Sequence, residues 1–473
     1  MTRTQRLTLA VVSAATAMLM LDIAVVNTAL PDIAADLDTG LGGLQWVVDA
    51  YTLALASVVL SAGFLADRLG RRRLFYVGLT IFTLTSVVCG VAPSIEVLNT
   101  ARAVQGIGAA LMFAVSLALL AHAFPGAKER AGALAVYGAT IGASFAVGPL
   151  VGGALTSGLS WNWVFLVNIP LGLACLWLTR VGVEESRDPA PRRIDWPGQF
   201  TLAPGLFLLV LALLRGNEDG WTSALILSLF AGAAVLLAAF VAIQARVAEP
   251  MLPLGLFRNG DFSGAQISAF AISASLFAVF LYVTLYLQQI LGLSAVEAGL
   301  AYIPGTILNL VVAGATASFL ERGVSPRVLI SLGLALVSAG MVGMALVAET
   351  DSAWWVLLPG FMVGMVGTGM FNPAVSNVAL SSVAADQSGL AAGVNDTFRQ
   401  AGIAVGVAAL GALVPAEAAL GGGSAAEYVD GMNEALLAGA ALAFLGAVAA
   451  AILIGRKTAP VPAPADVAVE AAT

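Results

Sequence analysis

The chain has 473 residues, 59% of them apolar and only 10% charged. No water-soluble chain of this length carries that composition, so an all-α polytopic membrane protein is expected. The net charge of -7 supports no nucleic-acid partner, because the charges sort by side of the membrane, and two cysteines with one histidine offer no metal cluster.

Runs of about 20 apolar residues, the length that crosses roughly 30 Å of hydrocarbon, read in order along the chain. The first, near 7–30, follows Arg3 and Arg6, carries Asp22 and Asn27, and is expected to end near Pro31. Its Ser13 to Ala17 stretch looks like a signal-peptide cleavage region, but the apolar run continues past it, so it is kept as a span. Five more follow near 44–66, 73–92, 97–121, 131–156 and 161–182. Trp46 and Tyr51 read as interface anchors, with Asp49 only a turn or so inside the second span. Cys89 and Cys175 lie inside apolar runs as small packing residues.

A polar connector holding Arg187, Arg192, Arg193 and Asp195 leads to two plainer runs near 196–214 and 222–244. Six further runs read near 262–290, 297–320, 327–348, 353–381, 388–414 and 434–455. The Ala- and Pro-rich tail after Lys457 is expected to be disordered. The division is therefore a six-helix bundle over 1–182, two linking helices over 183–258, a second six-helix bundle over 259–456, and a tail over 457–473.

Charge tests the count of fourteen. Of the 21 Lys and Arg residues, Arg215 alone falls in an odd-numbered loop and Arg102 and Arg399 fall within spans, while the rest lie at the termini or in even-numbered loops. Basic residues mark the cytoplasmic side, so both termini are expected there. An internal echo agrees: Phe64-Leu65-Ala66-Asp67-Arg68 closes the second span, and Phe319-Leu320-Glu321-Arg322 closes the second span of the later six.

Several stretches carry a resemblance. Gly63-Phe64-Leu65-Ala66-Asp67-Arg68-Leu69-Gly70-Arg71-Arg72-Arg73-Leu74 resembles the loop between the second and third helices of major facilitator superfamily transporters. Leu21-Asp22-Ile23-Ala24-Val25-Val26-Asn27-Thr28-Ala29-Leu30-Pro31 resembles the first-helix motif of the fourteen-spanning drug:proton antiporters, with Ala24 where Thr is usual. Arg102-Ala103-Val104-Gln105-Gly106-Ile107-Gly108-Ala109 is similar to that family's fourth-helix motif. Gly148-Pro149 followed by Gly152-Gly153 resembles the antiporter motif of exporters, and the segment from Trp161 to Gly172 matches the same branch apart from Asn162 in place of Arg. Asn395-Asp396-Thr397-Phe398-Arg399-Gln400-Ala401-Gly402 is similar to a segment of its thirteenth helix.

The resemblance implies two six-helix bundles plus two central helices, rocking around a cavity. It assigns proton coupling to Asp22 and Arg102, and a conformational latch to Gly63, Asp67, Arg68, Gly70 and Arg71; Asp49 joins the coupling candidates as an acid within a span. Asn27, Gln105, Asn309, Asn372, Asp396 and Arg399 become cavity candidates, because polar groups in hydrocarbon are costly unless paired or wet. Local readings stand beside these: Asp22 could bond a neighbouring helix, Asp49 could be a hydrated helix-start residue, Arg102 could neutralise an acid for packing, and Asp396 could pair with Arg399 one turn away.

The function implied is export of an amphipathic small molecule from a bacterial cytoplasm in exchange for protons, by a monomer in the inner membrane among its lipids. No cofactor is expected, and no phosphate-binding loop of the G-x-x-x-x-G-K-[ST] kind appears. Uptake of a small organic solute is the alternative within transport. A non-transporting sensor, or a membrane enzyme such as an acyl or glycosyl transferase, is the alternative outside it; one histidine and no large polar loop count against the enzyme.

Overall fold

The computed structural model describes residues 1–124, 126–187, 195–383, 388–415, 418 and 423–455. They form fourteen long helices: α1 (Arg3–Asp36), α2 (Leu41–Leu69), α3 (Arg71–Gly90), α4 (Ile95–Ala123), α5 (Ala127–Gly158), α6 (Trp163–Gly182), α7 (Trp196–Asp219), α8 (Ala224–Gln244), α9 (Gly260–Ile290), α10 (Ala295–Glu321), α11 (Pro326–Ala345), α12 (Trp354–Ser381), α13 (Ser388–Gly411) and α14 (Ala425–Leu453). Twelve are long and apolar enough to cross a membrane by length and composition. The other two, α5 and α13, have 32 and 24 residues, which is consistent with fourteen spans. The expected tail over 457–473 lies outside the described residues.

Two boundaries differ from the sequence expectation. The first helix does not end near Pro31 but runs through it to Asp36, fully helical, with Pro31 itself buried. A proline forfeits one hydrogen bond, and here packing holds the helix together across it. The last helix begins at Ala425 rather than near 434. A capping box explains the extra turns: the Ser424 hydroxyl and the Glu427 side chain satisfy each other's free backbone amides. Hydropathy alone cannot see such polar first turns.

Helix packing repeats between the halves. In the first, α1 lies on α5 and α6, α4 on α2 and α3, and α3 on α6; in the second, α9 lies on α13 and α14, α12 on α10 and α11, and α11 on α14. The halves meet along α5 with α10 and along α2 with α13, two contacts that exchange under the same correspondence. Close helix approach depends on glycine in several places. A Cβ on Gly78 would strike the Gly108 carbonyl, and one on Gly108 would strike the Gly78 carbonyl, so α3 and α4 touch backbone to backbone.

The two central helices are not equivalent. Helix α7 lies on both α2 and α13, covering their seam with a stripe of Leu202, Leu206 and Val210, spaced four apart on one face. Ser61 Oγ donates to Gln199 Oε1 at 2.7 Å, Trp46 and Phe207 approach to 5.5 Å, and Asn217 Nδ2 donates to the Ala412 carbonyl at 2.6 Å. Helix α8 packs on α7 and is largely exposed on its other faces, as a lipid-facing helix is. Asp195 ties the pair at one end, accepting from the Gly198 amide at 2.8 Å and from Gln244 Nε2 at 2.5 Å.

Candidate functional site

A buried polar cluster of the first half is centred on Asp22. Its Oδ2 accepts from Arg102 Nη1 at 2.5 Å, and its Oδ1 accepts from Asn168 Nδ2 at 2.9 Å and Gln105 Nε2 at 3.3 Å. Arg102 in turn donates from Nε to the Val47 carbonyl at 3.0 Å and from Nη1 to Gln105 Oε1 at 2.7 Å, and Gln105 donates to Ser86 Oγ at 2.9 Å. Five helices, α1, α2, α3, α4 and α6, are thereby joined. The side chains of Arg102 and Asp22 are 2% and 0% exposed, and the guanidinium lies 4.2 Å from the Tyr51 ring centroid and 5.7 Å from that of Phe165. A charge this deep persists only when paired, and here the donors nearly saturate the carboxylate.

Asp49 is the opposite case. It is fully buried and neither carboxyl oxygen has a hydrogen-bond partner. It stands in the ninth position of α2, two turns in rather than one, because the helix starts at Leu41. Tyr51, read from sequence as an interface anchor, is fully buried beneath Arg102. The correction has a simple cause: α4 and α6 bring a cation and an aromatic ring over this face of α2, which hydropathy cannot anticipate.

In the second half, Asp396 and Arg399 share a face of α13 but form no ion pair with each other among the described residues. Asp396 Oδ2 is buried without a partner, as is Gln400 Oε1, while Arg399 lies 6.0 Å from the Phe277 ring centroid. The helix that carries both, α13, packs against α2 of the first half. Asn395 donates to Gln266 Oε1 at 3.0 Å. Of the other cavity candidates, Asn27 turns back to the Ile23 carbonyl of its own helix, Asn309 packs on Gly369 between α10 and α12, and Asn372 has a buried oxygen without a partner.

The glycine motif of α5 works on two faces. A Cβ at Gly148 would meet Ala24, and one at Gly152 would meet Thr28 and the Val25 backbone, so these two seat α5 on α1. Gly153 abuts the Ala295 backbone, and the Pro149 carbonyl is what a Cβ on Gly299 would strike, so this second pair closes the α5–α10 contact between the halves. Gly152→Ala is expected to force α5 from α1 and to cost about 1–3 kcal/mol. A lowered melting temperature of the purified protein would register it; an unchanged one would mean that the helices tolerate the methyl.

At the α2–α3 loop, Gly70 has φ 111° and closes α2, a conformation that favours glycine. Its Cβ would also collide with the Glu185 carboxylate, which accepts from the Arg72 amide at 3.0 Å and the Arg73 amide at 3.3 Å. Glu185 thus caps α3 from the connector after α6, using the positive end of a helix dipole. Gly63 has open space around it, Arg68 is exposed and Arg71 half-buried, and the Asp67 side chain lies outside the described residues.

Sequence reasoning missed Asn168, Ser86, Glu185, Gln45 and Tyr282. Asn168 sits in a quoted motif, so a search for amides within apolar spans could have found it. Glu185 carries no local signal, since its partners lie more than a hundred residues away.

Comparison with known proteins agrees with this architecture. A family model described as Major Facilitator Superfamily matches residues 12–407. The chain is 37% identical over 419 residues to multidrug resistance protein Stp of Mycobacterium tuberculosis, covering 88% of this chain and 77% of that one. It is 36% identical over 460 residues to puromycin resistance protein pur8 of Streptomyces alboniger, covering 95% and 91%. Its fold resembles the crystal structure of the human organic anion transporter MFSD10 (TETRAN), with a TM-score of 0.63 at 15% identity, covering 94% of this chain and 99% of that one.

Proposed function

Because the chain belongs to the major facilitator superfamily, and is thus a multi-pass membrane transporter, we propose that it exports amphipathic drugs or an antibiotic from the cytoplasm in exchange for protons. The names of the relatives, which speak of multidrug and puromycin resistance, support this substrate class and the outward direction. We place it in the inner membrane with both termini cytoplasmic, acting as a monomer on the energy of the proton gradient, with 1–182 and 259–456 as the moving bundles and 183–258 as the linking pair.

One observation carries the coupling assignment: Asp49 is the buried acid with neither oxygen engaged, whereas Asp22 is held by Arg102, Gln105 and Asn168. A bare carboxylate without donors in an apolar surround is costly, and binding a proton removes that cost. Asp49 is therefore the proton carrier. Asp22 and Arg102 form the fixed pair that holds the bundle in register. Asp396, Arg399 and Gln400, on the helix α13 that packs against α2, meet the substrate, together with Tyr51 and Tyr137. Gly63, Asp67, Arg68, Gly70 and Arg71 form the cytoplasmic latch, and Glu185 supports it by fixing the start of α3.

The test is drug accumulation in cells producing the protein, over a panel of lipophilic cations and natural-product antibiotics, with and without a protonophore. Accumulation is expected to fall severalfold for at least one compound, and the protonophore to restore it. Lower accumulation that survives the protonophore would remove proton coupling, and raised accumulation would establish uptake instead.

A further inference from the structure

One turn before Asp49, on the same face of α2, stands Gln45. It is 4% exposed and donates from Nε2 to the Tyr282 hydroxyl at 2.8 Å. Tyr282, on α9 and fully buried, donates in turn to the Val407 carbonyl of α13, while the Tyr428 hydroxyl of α14 donates to the Tyr282 carbonyl at 2.7 Å. The chain crosses from the first half to the second at the end that holds the α1–α2 and α9–α10 loops, the outer end in the topology proposed above. Gly411 keeps room for it, because a Cβ there would run into both Gln45 Nε2 and the Tyr282 hydroxyl. Nearby, Gln288 Nε2 donates to the Thr28 carbonyl at 3.1 Å, again between the halves.

The backbone of α9 is irregular on both sides of this tyrosine. Ser273–Phe277 and Tyr286–Ile290 are π-helical, and the eight residues Ala278–Leu285 between them are α-helical and all buried. Wide turns of this kind weaken the helix where they occur and concentrate at working parts of proteins. They frame the short α-helical segment that carries Tyr282.

We propose that the Gln45–Tyr282–Val407 chain is the outer gate of the transporter, and that Gln45 and Tyr282 are positioning residues through which Asp49 controls it. This rests on the reading of Asp49 as the proton carrier. With its proton on, Asp49 carries no charge to be stabilised, Gln45 stays with Tyr282, and the outer end is closed. With its proton lost to water, the carboxylate needs donors, and the Gln45 amide, one turn away on the same face, and the Tyr282 hydroxyl bonded to it are the pair that links the halves. Either one turning to Asp49 breaks the bond between the halves, and the Ala278–Leu285 segment is released. The other charged groups around α2 do not compete for the same donors: Arg102 and Asp22 are engaged with each other and lie toward Val47 and Tyr51, on the far face of the helix, and on α13 Asp396 stands one turn from Arg399, which lies by the Phe277 ring.

The test measures opening without substrate. With Cys89 and Cys175 replaced by alanine, spin labels on Ala35→Cys and Thr350→Cys, both exposed at the outer end, report the distance between the halves in the full-length protein in lipid. Tyr282→Phe and Gln45→Leu, which break the chain from opposite sides, are each expected to raise the long-distance population about tenfold, the shift of one net buried hydrogen bond. Asp49→Asn is expected to lower it below the parent's. Distributions unchanged in both Tyr282→Phe and Gln45→Leu would overturn the gate. A gate that opens in those two while Asp49→Asn behaves like the parent would overturn its control by Asp49. Neither readout needs transport, so failure to find an exported drug would count against the proposed function alone.

Discussion

Replacing Arg102 by methionine is expected to destabilise the protein by about 3–5 kcal/mol and to abolish transport. The side chain is 2% exposed and its loss strands Asp22, which is 0% exposed, as an uncompensated charge. It also removes the donor to the Val47 carbonyl and the cation over the Tyr51 ring, so α4 loses its hold on α2 as well as on α1. Thermal unfolding of the purified protein should show a large drop in midpoint. Arg102→Lys should fall between, since an ammonium keeps the charge but cannot reach Asp22, Gln105 and the Val47 carbonyl in one plane. Pairing Arg102→Met with Asp22→Asn should recover part of the loss, because no bare charge remains. A single Arg102→Met protein that melts with the parent would show that the pair is not what joins these helices.

Asp49→Asn is expected to do the reverse. Its carboxyl oxygens have no partners to lose, so melting should be unchanged or raised. Gradient-driven export should nevertheless fall by about 100-fold or more, since no other group replaces a positioned proton carrier. Exchange of labelled for unlabelled drug across reconstituted vesicles, which needs no net proton movement but does need the outer end to open, should slow in step with the lowered open population rather than with the loss of coupling. Asp49→Asn vesicles that still concentrate drug when a pH gradient is imposed would transfer the coupling role to Asp22 or Asp396. The two variants thus separate a residue that builds the bundle from one that works in it, and the distinction rests on hydrogen-bond partners rather than on depth.

Much of this was legible in the residues. The spans and their order follow from apolar runs of bilayer length, and the loop at Gly63 to Leu74 was identifiable because its glycines and charges act locally. That Arg102 meets a buried acid was readable from the fourth-helix motif, but whether that acid is Asp22 or Asp49 was open, and the structure pairs it with Asp22. Gly148, Pro149, Gly152 and Gly153 were readable as a packing motif, but their division between α1 and α10 was not, because a helix face does not name its partner. Likewise Asp396 and Arg399, one turn apart, invited a local pair that the structure does not make. Arg399 lies by the Phe277 ring of a neighbouring helix, and a neighbour of that kind leaves no trace in spacing.

The sequence by itself determined the class of protein, the helices, the side of the membrane expected for each loop, and the resemblance that matched residues 12–407 bear out. Each of these depends on the transfer of a local segment between water and hydrocarbon, or on residues within a dozen positions of one another. Only the tertiary structure decided which buried acid is satisfied and which is left bare. Asp22 finds Arg102 and Asn168 across 80 and 146 residues, and Gln45 finds Tyr282 across 237. Asp49 finds no one. Two aspartates in apolar helices look alike in a sequence because the cost of burying them is local, while the groups that offset it arrive from distant helices by packing.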